Sequence, residues 1–153
     1  MRNSFKSVAK NRKARHEYHI EDEMEAGMVL TGTEVKSLRM GKVNIKDSYA
    51  RLANGELWLH QLHIGEYPFA YYNNHEPLRP RKLLVHKQEL KKLFGKIKEK
   101  GYTLVPMELY FKNGKAKVRL ALAKGKQKYD KRESIRKREE QRELDRARKK
   151  DQV

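Results

Sequence analysis

The chain has 153 residues, and 37 Lys/Arg against 20 Asp/Glu give it a formal net charge of +17. Without cysteine, disulfides and Cys-based zinc sites are excluded, and no apolar run approaches the ~20 residues that span a bilayer. We therefore expect a single soluble, cytoplasmic domain with no membrane contact.

The excess positive charge is concentrated in two flanking segments. Residues 1–15 carry six Lys/Arg and no acid, while residues 124–153 carry thirteen Lys/Arg against seven Asp/Glu, so each segment has a net charge of +6. Such a distribution is typical of a polyanion binder. We predict a basic N-terminal arm over 1–15, an RNA-binding barrel over 16–123 and a basic tail over 124–153.

The first patterned segment, residues 18–30, mixes strand-forming and acidic side chains and predicts a strand with a bulge or bend at Gly27. The stretch TGTEVKSLRMG then predicts a short helix. Thr31 and Glu34 fit a capping box, and Gly41 stands where a glycine commonly ends a helix.

Two β-hairpins are predicted at Asn54-Gly55 and Asn113-Gly114, because both positions of a type I′ turn need positive φ. The strand after the second turn alternates between two faces. Its predicted buried face holds Ala116, Val118, Leu120 and Leu122, and its opposite face holds Lys117, Arg119 and Ala121. In the strand before that turn, Pro106 predicts an edge position or a bulge.

Between the hairpins, apolar residues at helical spacing predict an amphipathic helix that ends at Gly101. Its apolar face is Leu90, Leu93, Phe94 and Ile97. Residues 65–82 contain three of the four prolines together with tyrosine and phenylalanine. That segment is long for a loop, which indicates a functional or a mobile segment.

Together these elements predict a mainly β protein with helices, an OB-fold-like antiparallel Greek-key β-barrel of five or six strands with flanking helices. A generic α+β sandwich is the alternative, and the order of the strands is left open.

Two His-x-x-His pairs, His16 with His19 and His60 with His63, have a spacing that suggests metal ligation. In a strand, however, positions i and i+3 point to opposite faces, so neither pair would converge on one ion. An acidic run leaves a metal-dependent nuclease as an alternative, although alternating faces would divide it: Glu21, Asp22, Glu23 and Glu25. We predict no metal, no cofactor and no catalytic residue.

The N-terminal segment interleaves cations with planar side chains, as proteins that read single-stranded or looped RNA do. The residues concerned are Arg12, Lys13, Arg15, His16 and Tyr18. A disordered, solubilising arm is the alternative. The equal charge of the tail favours RNA binding.

Several stretches together resemble small protein B, the SsrA-binding protein family of bacteria, from about residue 8 to the end. They are NRKARHEYHIEDEMEAGMVLTGTEVKSLRMGK, RPRKLLVHKQELKKL, YFKNGKAKVRLALAKGKQKYDKR and the charged C-terminus. The resemblance implies a non-enzymatic protein that binds the tRNA-like domain of transfer-messenger RNA (tmRNA). Such a protein carries alanyl-tmRNA with elongation factor Tu to stalled ribosomes for trans-translation. A generic OB-type ribosomal or tRNA-binding accessory protein is the alternative, and a monomer is expected in the free state.

The resemblance also implies RNA contacts at Asn11, Glu25, Leu84 and Lys117. Asn11 would bond a base edge and Glu25 would accept from base amino groups. Leu84 would offer an apolar face to a base, and Lys117 would lie on the cationic face of the last strand. Lys124, at the start of the tail, is a further predicted RNA contact.

The tail has too few apolar side chains to offset an ordering cost of ~1–2 kcal/mol per residue, so we predict disorder in the free protein. Its helix-forming composition from Asp130 to Lys150 predicts a helix of roughly 30 Å once its charge is neutralised. The resemblance implies that it enters an empty mRNA channel beside the small-subunit decoding site. The predicted ribosome contacts are Lys126, Lys128, Tyr129, Asp130, Lys131, Arg132 and Ile135. Where the family often has histidine, Tyr129 retains stacking but loses a titratable cation.

Overall fold

The computed structural model describes residues 4–98, 102–125 and 128–151. The helices are α1 (Ala14–Glu17), α2 (Gly32–Arg39), α3 (Lys87–Ile97) and α4 (Lys128–Asp151). The strands are β1 (Phe5–Lys10), β2 (Tyr18–Met28), β3 (Val43–Asn44), β4 (Tyr49–Ala53), β5 (Glu56–His60), β6 (His63–Ile64), β7 (Arg81–Leu84), β8 (Tyr102–Lys112) and β9 (Lys115–Gly125). Over these residues, no helix is both long and apolar enough to cross a membrane.

Six of the strands close into an antiparallel barrel. Around it, β8 pairs with β9, β9 with β2, β2 with β7, β7 with β5 and β5 with β4. One pairing, Ala50 opposite Leu104, joins β4 back to β8. β1 lies outside this ring along the C-terminal half of β8. The predicted OB-like barrel is confirmed, with strands far apart in sequence lying side by side.

Both predicted hairpin turns form as expected. Asn54 and Gly55 have φ of 52° and 75°, and Asn113 and Gly114 have φ of 52° and 78°. These left-handed values are those of a type I′ turn, which matches the twist of the strands it joins. The turns therefore fix the register of β4 with β5 and of β8 with β9.

The predicted capping box at the start of α2 is also present. The Thr31 backbone N–H donates to Glu34 Oε1 at 2.8 Å, and the Thr31 hydroxyl accepts from the Glu34 backbone N–H at 3.4 Å. Gly41, with φ of 75°, follows the last residues of the helix as expected. Local sequence thus determines both ends of α2.

Two predicted backbone irregularities have different outcomes. The prediction of a bulge or bend at Gly27 is wrong, because Gly27 keeps its register and the shift in β2 lies between Ile20 and Asp22. Pro106 does precede a bulge, since the register of β8 shifts between Pro106 and Glu108. Of the two alternatives for Pro106, the structure therefore shows the bulge.

The main core fills the barrel, and a second, smaller core lies beneath α1. The second core consists of Ala14, Val105, Met107, Ala121 and Ala123. The prediction that Ala121 lies on an exposed cationic face with Lys117 and Arg119 is therefore wrong. Alternation places all three residues on the same face of β9, but α1 covers the end of β9 that carries Ala121.

Helix α3 packs on the barrel through a narrower apolar stripe than predicted. Leu93 is buried and both Leu90 and Ile97 pack against the core, but Phe94 is 43% exposed. The Lys98 ammonium lies 5.0 Å from the centroid of the Phe94 ring. The prediction of Phe94 as a core residue is wrong, because it lies at the margin of the face that meets the barrel. Gly101, the predicted stop, lies outside the described residues.

A buried ion pair joins α2 to β7. Arg81 Nε donates to Glu34 Oε2 at 2.5 Å, and neither side chain is exposed. Arg81 also donates to the backbone carbonyls of Leu62 and Pro77, and Arg79 donates to Glu34 Oε1 at 2.5 Å. Burial alone would raise the pKa of Glu34, but hydrogen bonds from Arg79, the Thr31 N–H and Arg81 lower it overall. Glu34 is therefore an ionised carboxylate that fixes the start of β7.

Candidate RNA-binding surface

Cross-strand register brings two of the predicted RNA contacts together on the outside of the barrel. Leu84 on β7 lies opposite Gly27 on β2, and Gly27 lies opposite Lys117 on β9. A Cβ at position 27 would lie 3.6 Å from Leu84 Cβ and 3.8 Å from Lys117 Nζ. The missing side chain of Gly27 thus leaves a shallow gap between an exposed leucine and an ammonium group.

Glu25, the third predicted contact, belongs to the same outer surface. It lies two residues from Gly27, and its Oε2 accepts from the Tyr110 hydroxyl at 2.5 Å. Lys112 Nζ is 3.5 Å from the same oxygen. Tyr110 itself lies opposite Lys117 in the β8–β9 ladder. We call Glu25, Leu84, Tyr110 and Lys117 the outer patch.

The surroundings of Glu25 and Tyr110 keep the first ionised and the second protonated. The hydrogen bond from Tyr110 lowers the pKa of Glu25 below its ordinary 4.5, more than slight burial raises it. Burial and the Glu25 carboxylate together raise the pKa of Tyr110. Glu25 is therefore an acceptor with one oxygen held in place, while Tyr110 remains a protonated donor.

Next to the outer patch, acidic side chains are paired with cations. Arg119 bridges Glu108 at 3.2 Å and Glu23 at 3.6 Å, and Arg15 of α1 donates to Glu23 at 3.2 Å. Glu21 accepts from the Tyr102 hydroxyl at 2.6 Å and lies 3.9 Å from Lys96. Among the residues the structure describes, no group of three or more His, Asp or Glu could hold a metal ion. These pairings give the acidic run a structural role and do not favour the nuclease alternative.

Asn11 lies apart from the outer patch, at the end of β1. Its side-chain Nδ2 donates to the Pro106 carbonyl at 3.1 Å, and its backbone N–H donates to the Met107 carbonyl at 2.8 Å. The bulge in β8 thus orients the amide of Asn11. It borders a groove of about 490 Å³ that it shares with Lys13, Tyr18, Lys46 and Tyr49. Because Nδ2 is engaged in this way, Oδ1 is the acceptor atom of the Asn11 amide.

The cations of the N-terminal segment occupy several environments. Arg12 is exposed, and Arg15 is engaged by Glu23. His16 Nδ1 lies 2.9 Å from Arg138 Nη2 of α4, so the tail helix contacts α1. Lys124 is not part of the outer patch. It lies at the other end of β9, opposite His19 of β2 and Tyr102 of β8 in the strand ladders. Its ammonium is 5.8 Å from the Tyr102 ring centroid.

Helix α4 contains most of the predicted ribosome contacts. Ile135 is exposed on it, while Lys126 lies outside the described residues. The side chains of Lys128, Tyr129, Asp130, Lys131 and Arg132 are likewise outside the described part of the structure. The predicted disorder of the free tail stays a prediction.

Sequence reasoning did not identify Tyr110 or Gly27 as parts of this surface. Tyr110 could have been found by counting outward from the Asn113-Gly114 turn, since the hairpin register places it opposite Lys117. Gly27 carries no such signal, because its neighbour Leu84 comes from a distant strand. Its place between Leu84 and Lys117 appears only when β7 and β9 flank β2.

The chain is similar to proteins of one family. A family model described as SmpB protein matches residues 8–150. A relative named SsrA-binding protein in Thermobifida fusca is 58% identical over 93% of this chain and 89% of the relative. Another of that name in Desulforudis audaxviator is 61% identical over 93% of this chain and 93% of the relative. A solved structure described as "tmRNA-SmpB: a journey to the center of the bacterial ribosome" has a TM-score of 0.67 and 51% identity, and the match covers 84% of this chain and 94% of the other.

Proposed function

This chain belongs to the SmpB protein family, and from that premise we propose that it binds tmRNA and brings it to stalled ribosomes for trans-translation. Its relatives are named for binding SsrA, and the description of a structural neighbour names tmRNA-SmpB and the bacterial ribosome. The chain therefore acts as an RNA-binding protein. We extend the proposal to a purely non-enzymatic role in the cytoplasm, as a monomer when free.

The observation that best supports this function is the chemistry of the outer patch. It combines a carboxylate acceptor that the buried Tyr110 phenol holds in place, an ammonium group and an exposed leucine within neighbouring strands. Glu25 can accept from the amino groups of an unpaired base, and Lys117 can contact a phosphate. Leu84, 54% exposed, provides an apolar surface for a base. We propose that this patch and Asn11 contact the tRNA-like domain.

The remaining predicted contacts extend the proposal to the ribosome. Arg12, Arg15, His16 and Lys124 add positive charge around α1 and the end of β9, which supports a role in phosphate binding. Helix α4 follows β9 along the chain, its described side chains at residues 135–148 are exposed, and it is long enough to follow an empty mRNA channel. Elongation factor Tu, carrying the alanylated RNA, is the expected further partner.

Truncation after Lys124 tests this function. The barrel should stay folded, because the core cluster ends with Leu122 and Ala123. Most affinity for the tRNA-like RNA should remain, apart from a loss caused by removing positive charge. Peptide tagging on stalled ribosomes should nevertheless fail.

A triple substitution of Asp130, Lys131 and Arg132 by alanine should have much of the same effect on tagging. The matched control replaces Asp145, Arg146 and Arg148 by alanine, which removes the same number of acidic and basic groups from the same helix. If tagging and RNA affinity fell in proportion in both variants, the tail would be an electrostatic anchor only. Tagging that survived truncation would refute its role in the channel.

The alternative of a generic ribosomal or tRNA-binding accessory protein makes a different prediction. Such a protein would use the barrel alone, so its cellular activity should tolerate loss of the tail. The nuclease alternative is tested separately by incubating tRNA-like RNA with the protein, with and without Mg²⁺. Magnesium-dependent cleavage would contradict the proposed non-enzymatic role.

A further inference from the structure

The loop between β6 and β7 carries the most exposed aromatic side chains of the described chain. Tyr71 is 93% exposed, Tyr72 86% and Phe69 66%. Exposed apolar groups are common singly, and Phe69 packs edge-on against Tyr67 with ring centroids 5.5 Å apart, but packing does not explain the exposure of two adjacent tyrosine rings. None of the residues discussed for the outer patch belongs to this loop.

This loop projects from a base that is held by hydrogen bonds. The Asn74 side chain closes its ends: Oδ1 accepts from the Tyr67 N–H at 3.2 Å, and Nδ2 donates to the Tyr67 carbonyl at 2.9 Å. The next residue, His75, is buried, with its ring nitrogens 2.9 Å from Thr33 Oγ1 and 2.9 Å from the Ile64 carbonyl. A fixed base lowers the entropy lost when the tip binds a partner.

The base of the loop carries charges of both signs, whereas its tip is uncharged. Lys36 of α2 places its ammonium 5.4 Å from the Tyr67 ring centroid, and the Lys42 side chain lies beside Gly65. The tip sequence PFAYYN, residues 68–73, contains no acid or base, while Glu66 and Glu76 lie on either side of it. Unpaired bases can stack on the exposed rings of the tip while the backbone phosphates meet the lysines at the base of the loop.

We propose that Tyr71 and Tyr72 form a stacking platform for unpaired bases of RNA, separate from the outer patch. Exposed aromatic rings occur in protein interfaces as well, and RNA is favoured here because the net charge of +17 attracts a polyanion. The platform would bind single-stranded or looped RNA with little sequence preference, since every base has a π face. This inference does not depend on tmRNA being the partner of the outer patch.

The test compares two probes on the full-length chain by fluorescence anisotropy at one salt concentration. One probe is a labelled single-stranded oligoribonucleotide of about eight nucleotides, within the site size of single-strand binders. The other is an RNA duplex of equal charge. The variant Tyr71→Ala/Tyr72→Ala should lose about 5- to 150-fold in single-strand affinity and none in duplex affinity.

Two control variants separate stacking from general effects. Tyr71→Phe/Tyr72→Phe keeps both rings and should retain single-strand affinity. Phe94→Ala removes an exposed aromatic ring from α3 and should leave both affinities unchanged. Unchanged single-strand binding by the double alanine variant would overturn the proposal and leave a protein surface as the use of this loop. Equal losses for strand and duplex would also overturn it.

Discussion

Replacing Glu34 by glutamine should strongly destabilise the protein, although the change removes no carbon atom. Glutamine keeps a side-chain oxygen that can still accept from the Thr31 N–H, so the capping box can persist. What is lost is the negative charge that compensates Arg81, whose side chain is fully buried. The variant therefore leaves a buried cation without its counter-ion.

The expected loss is about 3–5 kcal/mol in the free energy of unfolding, the usual cost of removing one partner from a buried ion pair. That is a large share of the about 5–15 kcal/mol by which native domains are stable. Glu56→Gln provides a matched control, because Glu56 pairs with Lys82 at 3.5 Å and both side chains are well exposed. Its loss should be at most about 1 kcal/mol.

Urea unfolding followed by fluorescence of Trp58, the one tryptophan of the chain, measures both variants. With a typical dependence of about 2 kcal/mol per molar urea, Glu34→Gln should lower the midpoint by about 2 M. A shift no larger than that of Glu56→Gln would refute the reasoning. It would mean that water or backbone movement compensates Arg81.

The pH dependence of the difference provides a second measurement. Because the folded-state pKa of Glu34 is lowered, its contribution is present above the unfolded value near 4.5 and disappears as pH falls through the folded value. The stability gap between the native chain and Glu34→Gln should therefore shrink in acid below pH 4.5. A gap that stayed constant through this range would contradict an ionised Glu34.

The outer patch and the second hairpin support three more predictions. Lys117→Ala should weaken binding to tRNA-like RNA about equally across loop sequences and lower the salt slope by about one; an unchanged slope would exclude a phosphate contact. Tyr110→Phe removes the hydrogen bond that lowers the pKa of Glu25. On acidification, the RNA affinity of this variant should therefore fall at a higher pH than that of the native chain. Identical pH profiles would show that Tyr110 does not hold Glu25. Gly114→Ala, at φ of 78°, should lower the free energy of unfolding, measured in urea, by about 1–2 kcal/mol. Gly95→Ala, in the open surroundings of α3, should raise it slightly. Equal effects of the two substitutions would refute the turn argument.

Features set by local chemistry were predictable from the sequence. The two Asn-Gly turns, the capping box of α2 and the alternation around Lys117 each depend on residues within a few positions of one another. The barrel followed from these elements, since several hairpins and a helix have few ways to cover a shared core. Within the outer patch, alternation along the strand alone predicts that Lys117 lies on the outside of the barrel.

Features set by distant residues were not predictable. Arg81 is a buried partner of Glu34 only because β7 packs beside α2, and no local pattern marks a buried arginine. Phe94 and Ala121 were misplaced because periodicity identifies a face and does not say which neighbour covers it. The position of Gly27 between Leu84 and Lys117 was not predictable either, because these neighbours belong to two other strands, β7 and β9.

The single pairing of Ala50 with Leu104 gives the barrel a seam. On one side of the seam, β2, β9 and β8 form long ladders, while β4, β5 and β7 are joined by short ones. Local opening favours elements with few bonds, so the barrel can part at the seam while the long ladders stay closed. Glu25, Tyr110 and Lys117 therefore keep their mutual geometry during such opening, and only Leu84, on β7, moves with the weaker half.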